Sequence, residues 1–208
     1  LALHWLSFNE TDRARPFVEA CDGASHLGAA AVALARGDLH EALTRLRASL
    51  QEAPSLLTLK RAQTLAFYTG DTRCMLELSC LVEDHFTKAP YFYGMHAWAL
   101  EENLQLAEAE KAALRALELE PNDVWAQHAL AHVWSSLGDR EEEVIAFLEA
   151  RQPVFSALTF LPFLRTHLNW HLALMYIAKG RHEEARHIFD THVWKRPEDR
   201  RNDQVLIN

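Results

Sequence analysis

The sequence predicts an all-α protein built of helical hairpins in an array. The first observation is a Gly-Asp pair that recurs along the chain, at Gly37-Asp38, Gly70-Asp71 and Gly138-Asp139, with Gly180-Arg181 as a variant. Gly just past a helix supplies a left-handed C-terminal cap, and Asp beside it can cap the following helix. The second observation is the spacing of these pairs, which is 33 residues, then twice 34, then 42. Such a period is typical of stacked helical hairpins.

Small residues follow the turns in the pattern of the tetratricopeptide repeat, whose glycines and alanines let two helices approach closely. The most regular repeat has Ala109, Ala113 and Ala116 after its turn and Pro121 at its end. Its turn falls at Asn103-Leu104, where no glycine is present. We therefore predict a right-handed solenoid of about five repeats, at 23–56, 57–89, 90–123, 124–157 and 166–199.

Two segments lie outside these repeats. Residues 1–20 are expected to form one preceding helix. Residues 152–165 form an apolar insert, which is expected to cover a core edge, a groove or a partner surface. We predict that residues 1–208 are a single solenoid domain and, because no polar capping helix closes it, a fragment of a longer protein.

Composition excludes several classes of partner. The net charge is −8, which argues against a nucleic-acid backbone as the main partner. No apolar run reaches the roughly 18 residues of a membrane span, and no secretory signal opens the chain. The three cysteines are sparse, as expected of reduced thiols in a cytoplasmic protein.

Two histidine pairs are the strongest candidates for chemistry. His128 and His132 form one pair, and His167 and His171 form the other, each four residues apart. On a helix this spacing puts both rings on one face, where they can chelate a metal ion. Neither pair has the Glu after the first His that metalloproteases carry in HExxH.

The repeat register predicts where these side chains point. In a tetratricopeptide hairpin the first helix lines the concave groove, at positions 13, 10, 6, 3 and 2 residues before the turn glycine. With Leu104 taken as a turn position, three successive first helices place Trp, His and Glu on this surface, and His171 falls at its margin. The predicted ligand-binding residues are Trp98, Glu101, Glu102, Trp125, His128, His132, His167, Trp170 and His171.

Three interpretations of this surface stay open. The rings could pack against the apolar insert, line a polar-aromatic pocket, or bind a metal ion. The first two interpretations require no cofactor. On the third, Zn or Fe would be held by the ligands His128, His132, His167 and His171, with Glu101 or Glu102 as general base. No phosphate loop or nucleophile elbow is present, so no catalytic residue is assigned and a binding protein is favoured over an enzyme.

About half the chain resembles the tetratricopeptide repeat protein 38 family. The matching stretches are YFYGMHAWALEE at 91–102, AEAEKAALRALELEPNDVWAQHALAHVWSSLGDREE at 107–142, THLNWHLALMYIAKG at 166–180 and FDTHVW at 189–194. Near the second histidine pair the family's pattern is similar to His-Asn-Trp-Trp-His. In this chain Leu168-Asn169-Trp170 stand between His167 and His171. The resemblance implies a helical solenoid and no particular activity.

The function we predict is a scaffold whose groove, over repeats three to five, binds a peptide, a protein or a small molecule. Trp98, Trp125 and Trp170 would supply apolar contact, and Glu101 or Glu102 could pair with a cationic group. Basic clamps for acidic tails are missing from these positions, which favours a neutral or cationic ligand. The alternative is a metal-binding protein or metal-dependent enzyme. A third option is a homodimer formed through Phe155 and Phe160 of the insert.

Overall fold

The computed structural model describes residues 11–21, 23–158 and 162–194, and these residues form helices without any strand. The early helices are α1 Thr11–Glu19, α2 His26–Ala35, α3 Leu39–Glu52, α4 Leu56–Tyr68 and α5 Thr72–Val82. The later ones are α6 Phe92–Glu102, α7 Leu106–Leu119, α8 Val124–Leu137, α9 Glu141–Ser156, α10 Pro162–Ala178 and α11 His182–Ile188. A 3-10 turn, Glu83–His85, follows α5, and a π turn, Phe189–Val193, follows α11.

The helices pair into five hairpins, α2 with α3, α4 with α5, α6 with α7, α8 with α9, and α10 with α11. Consecutive hairpins pack on one another, so that α6, for example, contacts α5, α7 and α8. This is the all-α arrangement of stacked hairpins that the Gly-Asp spacing predicts, and the fold class is confirmed.

The turns explain the sequence signal. Gly37, Gly70 and Gly180 have φ of +76, +74 and +71°, and Leu104 takes the equivalent place with φ of +59°. At the first of these turns Asp38 Oδ1 accepts a hydrogen bond from the Glu41 N–H at 3.0 Å, as a helix cap should. The next Asp, Asp71, caps α5 in the same way.

The turn at Gly138 departs from this pattern. Asp139 itself has a positive φ of +54°, and the residue before α9 is Arg140, which makes no side-chain cap bond. Asp139 therefore does not cap the following helix, and α9 instead begins with three glutamates that complement its dipole.

The predicted insert is largely helical where it is described. Helix α9 continues through Pro153 to Ser156, and α10 already begins at Pro162. Phe155 is fully buried in the core, so it is not available to a second copy of the chain. Phe160, and residues 1–10 of the predicted first helix, lie outside the described residues.

The core forms two clusters that meet at α6. Trp98 and Ala99 belong to the cluster shared with α2 to α5, and Ala97 and Leu100 belong to the cluster shared with α7 to α11. Because successive residues of α6 serve both clusters, this helix joins the two halves of the array. None of the described helices is long and apolar enough to cross a membrane. A cytoplasmic location stays a prediction.

Candidate functional site

The four predicted histidines come together on α8 and α10. Each offers one ring nitrogen, and these four nitrogens all lie within 4.8 Å of one another; the residues are His128, His132, His167 and His171. Within the described part of the chain, no other His, Cys, Asp or Glu side chains converge in this way. The two helices that supply them are the first helices of successive hairpins, as the register predicts. We call this group the four-histidine cluster.

His171 lies at the centre of the cluster, although the register places it at the margin of the groove. Its Nε2 is 2.9 Å from His132 Nε2 and 3.0 Å from His167 Nε2. An imidazole nitrogen carries either one proton or one lone pair in the ring plane, so it makes one good hydrogen bond. The Nε2 atom of His171 therefore cannot serve both neighbours well by hydrogen bonding alone.

His128 is the most deeply placed of the four, with 6% of its surface exposed. Both its ring nitrogens are buried without a hydrogen-bond partner among the described residues. Its ring centroid is 4.3 Å from that of His132 and 4.9 Å from that of His167. Each buried and unpaired polar atom lowers the stability of the fold by about 1–3 kcal/mol, so such atoms in a native protein point to a functional role or to a bound ion or water.

Burial favours the neutral form of His128, His167 and His171. It lowers the pKa of His128 and of His171 well below the ordinary value, and the neighbouring histidines lower both further. Burial, with a smaller contribution from His132, lowers the pKa of His167 to about 4. Neutral imidazole is the form that binds metal ions, because its lone pair is free to coordinate.

Two glutamates from the end of α6 border the cluster in different ways. Glu101 Oε1 lies 3.3 Å from His132 Nδ1, and Glu101 Oε2 is buried without a partner among the described residues. Glu102 Oε1 accepts a hydrogen bond from Trp98 Nε1 at 3.0 Å. Burial, and then the charge of Glu101, raise the pKa of Glu102. Glu101 thus orients a histidine of the cluster, and Glu102 orients a tryptophan.

The three predicted tryptophans occupy different environments. Trp170 is half-buried and stacks on His167, with ring centroids 5.4 Å apart and planes at 25°. Trp125 meets His128 edge-on at 6.2 Å, and the Trp98 ring lies 5.6 Å from it. Trp98 is only 6% exposed, so it is not open to a ligand in this arrangement.

Sequence analysis missed Lys60 on α4. Its Nζ lies 3.9 Å from the ring centroid of Trp98 and 3.1 Å from that of Trp125. A signal was present, since Lys60 is ten residues before Gly70, at the groove position that His128 holds in its own repeat. Lys60 belongs to the second repeat, outside repeats three to five where the binding surface is predicted.

Asp123 is the second residue that sequence analysis missed. It is fully buried, and its Oδ1 accepts hydrogen bonds from the N–H groups of Trp125 and Ala126, which starts α8. Its Oδ2 faces Gly94, where an added Cβ would lie only 2.5 Å away. Gly94 is therefore the residue that leaves room for this carboxylate.

Comparison with known proteins places the fold. No protein-family model matches the chain. Among solved structures it is similar to TTC0263, a thermophilic TPR protein of Thermus thermophilus, with a TM-score of 0.63 and 18% identity over 88% of this chain and 98% of that one.

Two further structures resemble the chain. MamA of Desulfovibrio magneticus RS-1 gives a TM-score of 0.58 at 17% identity, over 79% of this chain and 89% of that one. YrrB, a TPR protein with an unusual peptide-binding site, gives 0.52 at 15% identity, over 89% and 90%. At such identities the likeness concerns the fold alone, and the chain has the helical-hairpin fold of tetratricopeptide-repeat proteins.

Proposed function

We propose that this protein is a helical-repeat scaffold that binds one transition-metal ion at the four-histidine cluster. The observation that carries the proposal is the convergence of four imidazole nitrogens within 4.8 Å, from two helices of different hairpins. The unpaired state of His128 supports it, because a cation is the partner that the lone pair of a neutral imidazole requires when no hydrogen-bond donor faces it. A bound ion would tie the fourth hairpin to the fifth.

Zn²⁺ is the ion that suits this donor set best. Zinc accepts imidazole ligands at about 2.0–2.1 Å in a tetrahedron, which puts the donor atoms about 3.3–3.4 Å apart. Two of the nitrogen–nitrogen distances, 2.9 and 3.0 Å, are already near that value. The remaining nitrogens lie within 4.8 Å of one another and would have to move closer to complete the site.

The proposed role of the ion is structural. Four histidine ligands fill a tetrahedron and leave no position for a reactive water, in contrast to catalytic zinc sites with three protein ligands. Glu101 contacts His132 and Glu102 contacts Trp98, so each carboxylate orients a neighbouring ring rather than facing an open ligand position. Glu101 instead fits the carboxylate–histidine–metal arrangement, in which the carboxylate fixes the tautomer of the histidine ligand.

Thermal unfolding of the metal-free protein tests this proposal. Zn²⁺ at about 100 times its dissociation constant should stabilise the fold by about 2.7 kcal/mol. For a chain of this size that raises Tm by about 5–11 °C. His171→Phe, which removes the central ligand, should abolish the rise, and His187→Phe, at an exposed histidine of α11, should keep it. An equal rise in both variants, or none in the wild type, contradicts the proposal.

A partner that binds to the same side of the array is the second candidate. Half-buried Trp125 and Trp170 favour it, together with the similarity in fold to YrrB. We propose a peptide or protein rather than nucleic acid, since the net charge is −8.

Membership of the tetratricopeptide repeat protein 38 family is a further proposal, which rests on the sequence stretches quoted above. Size-exclusion chromatography with light scattering tests the proposed homodimer.

A further inference from the structure

The Lys60 side chain directs its amino group into the protein instead of into water. Lysines ordinarily lay the aliphatic stem on the protein and extend the ammonium group into water. The Lys60 residue is partly exposed, yet its Nζ is buried and has no hydrogen-bond partner among the described residues. The amino group instead lies against the faces of Trp98 and Trp125, at 3.9 and 3.1 Å from the ring centroids. The rings and the charge of Asp123 attract the amino group, but burial disfavours its charged form more strongly, so the pKa of Lys60 is lowered.

The two rings form an aromatic cage whose walls do not depend on Lys60. Their centroids are 5.6 Å apart and their planes meet at 32°. Trp98 is fixed by the hydrogen bond from its Nε1 to Glu102 and by Phe67, whose ring lies 5.3 Å away. The backbone of Trp125 is held at the first turn of α8, where its backbone N–H donates to Asp123 Oδ1. The walls come from α6 and α8, whereas the occupant comes from α4.

A buried carboxylate gives the cage its charge preference. Asp123 accepts the backbone N–H of Trp125, its Oδ2 is unpaired among the described residues, and its charge attracts Lys60. Aromatic faces with a nearby carboxylate are the chemistry that recognises ammonium groups. An anion would meet the negative faces of the rings and the carboxylate, so it is excluded.

Lys60 is held in the cage only loosely. An ammonium group has three N–H donors, and no acceptor among the described residues receives any of them. Burial lowers the pKa of Lys60 well below its ordinary value, so the charged form is held there at a cost. The partly exposed stem leaves a short path by which the amino group can reach water.

We propose that Trp98 and Trp125 form a binding site for an alkylammonium group, and that Lys60 is an internal occupant which an external ammonium group displaces. The ligand is a small amine or a lysine-type side chain of a protein partner, since both present the same chemistry. Displacement moves the Lys60 amino group into water. The site adjoins the four-histidine cluster, since Trp125 meets His128 edge-on, but it uses none of the four histidines and does not require a metal ion.

Amine acetylation of the metal-free wild-type protein tests this inference. Tetramethylammonium is the probe, because it is a strong ligand for aromatic faces and does not react with acylating reagents. Mass spectrometry compares the acetylation rate of Lys60 with the rates of Lys88 and Lys111, which are exposed. Tetramethylammonium chloride should raise the Lys60 rate relative to these controls by at least about threefold, and sodium chloride at equal ionic strength should not. An unchanged ratio, or an equal rise with sodium chloride, overturns the proposal.

Two variants locate the effect. Trp125→Leu removes one wall, so the ratio should no longer respond to tetramethylammonium. Trp170→Leu removes a tryptophan outside the cage and should leave the response as in the wild type. If Trp125→Leu responds like the wild type, the cage is not the site and the proposal is wrong. The wild-type measurement decides on its own if either variant fails to fold.

A peptide that contains trimethyl-lysine separates the two sources of the ligand. If it raises the Lys60 rate at a lower concentration than tetramethylammonium does, the surroundings of the cage contribute and a protein partner is assigned. If both act at the same concentration, a small amine is assigned. Either result supports the cage, whereas no response to either compound overturns it.

Discussion

Replacing Glu101 by Gln tests how the protein compensates the charge of the proposed ion. The amide oxygen of Gln can still accept a hydrogen bond from His132 Nδ1, so the ring keeps its orientation while the negative charge is lost. Glu101 Oε1 lies 3.3 Å from Nδ1, and the ion on the far side of the ring would be about 7 Å from the carboxylate. At an effective dielectric constant of about 20, the attraction between this charge and a divalent ion is about 5 kcal/mol.

Only part of that attraction is expected as net affinity. The Glu101 side chain is 13% exposed, so the carboxylate loses most of its own hydration in return. Removal of a group that hydrogen-bonds a metal ligand typically lowers metal affinity 10–100-fold, which is about 1.4–2.7 kcal/mol. We therefore expect Glu101→Gln to raise the Zn²⁺ dissociation constant by about 10–100-fold. Competition with a chromophoric chelator measures it.

Glu108→Gln is the matched control, because this glutamate is exposed on α7 of the same hairpin. It should leave the dissociation constant within about twofold of the wild-type value, as expected of a screened surface charge. If Glu101→Gln binds Zn²⁺ as tightly as Glu108→Gln does, the carboxylate does not act on the ion and the reasoning fails.

Three further predictions concern the fold and its pH dependence. Leu104→Gly removes a left-handed non-glycine residue and should raise the free energy of unfolding by about 0.5–1 kcal/mol in urea titrations; a loss would contradict this. Phe155→Ala should lower the free energy of unfolding by about 3–5 kcal/mol, because the ring is fully buried. A change in oligomer mass at unchanged stability would contradict this and support the homodimer. The pKa of His167 is lowered to about 4, so its contribution to the stability of the metal-free protein is complete near pH 8, and about 1.4 kcal/mol of it should be lost by pH 5.5, because the unfolded state takes up the proton first. Urea midpoints at the two pH values should show this loss in the wild type and less of it in His167→Phe.

The array was predictable because its signals are local. A glycine with positive φ is needed wherever a first helix turns into a second, and Gly37, Gly70 and Gly180 supply it. The even spacing also located the turn at Leu104, where the residue type gives no hint. The turn at Gly138 shows the limit, since the cap expected of Asp139 was lost to a local change in backbone conformation that the residue pair does not encode.

The four-histidine cluster was predictable in part. Spacing placed each pair on one helix face, but it could not give the distance between α8 and α10, which depends on how the described parts of residues 152–165 pack. This is why His171 lies between His132 and His167 instead of at the margin of the groove. The inward direction of Lys60 was not predictable, because isolated lysines favour water and the attraction comes from rings 38 and 65 residues further along the chain.

The most direct test of the central claim is X-ray absorption spectroscopy of the protein loaded with one equivalent of Zn²⁺. The account predicts four nitrogen donors at about 2.0–2.1 Å, with the outer-shell scattering of imidazole rings. His171→Phe should reduce the number of imidazole donors. A first shell of six oxygen donors, or one that contains sulfur, would contradict the assignment of the ion to the four histidines.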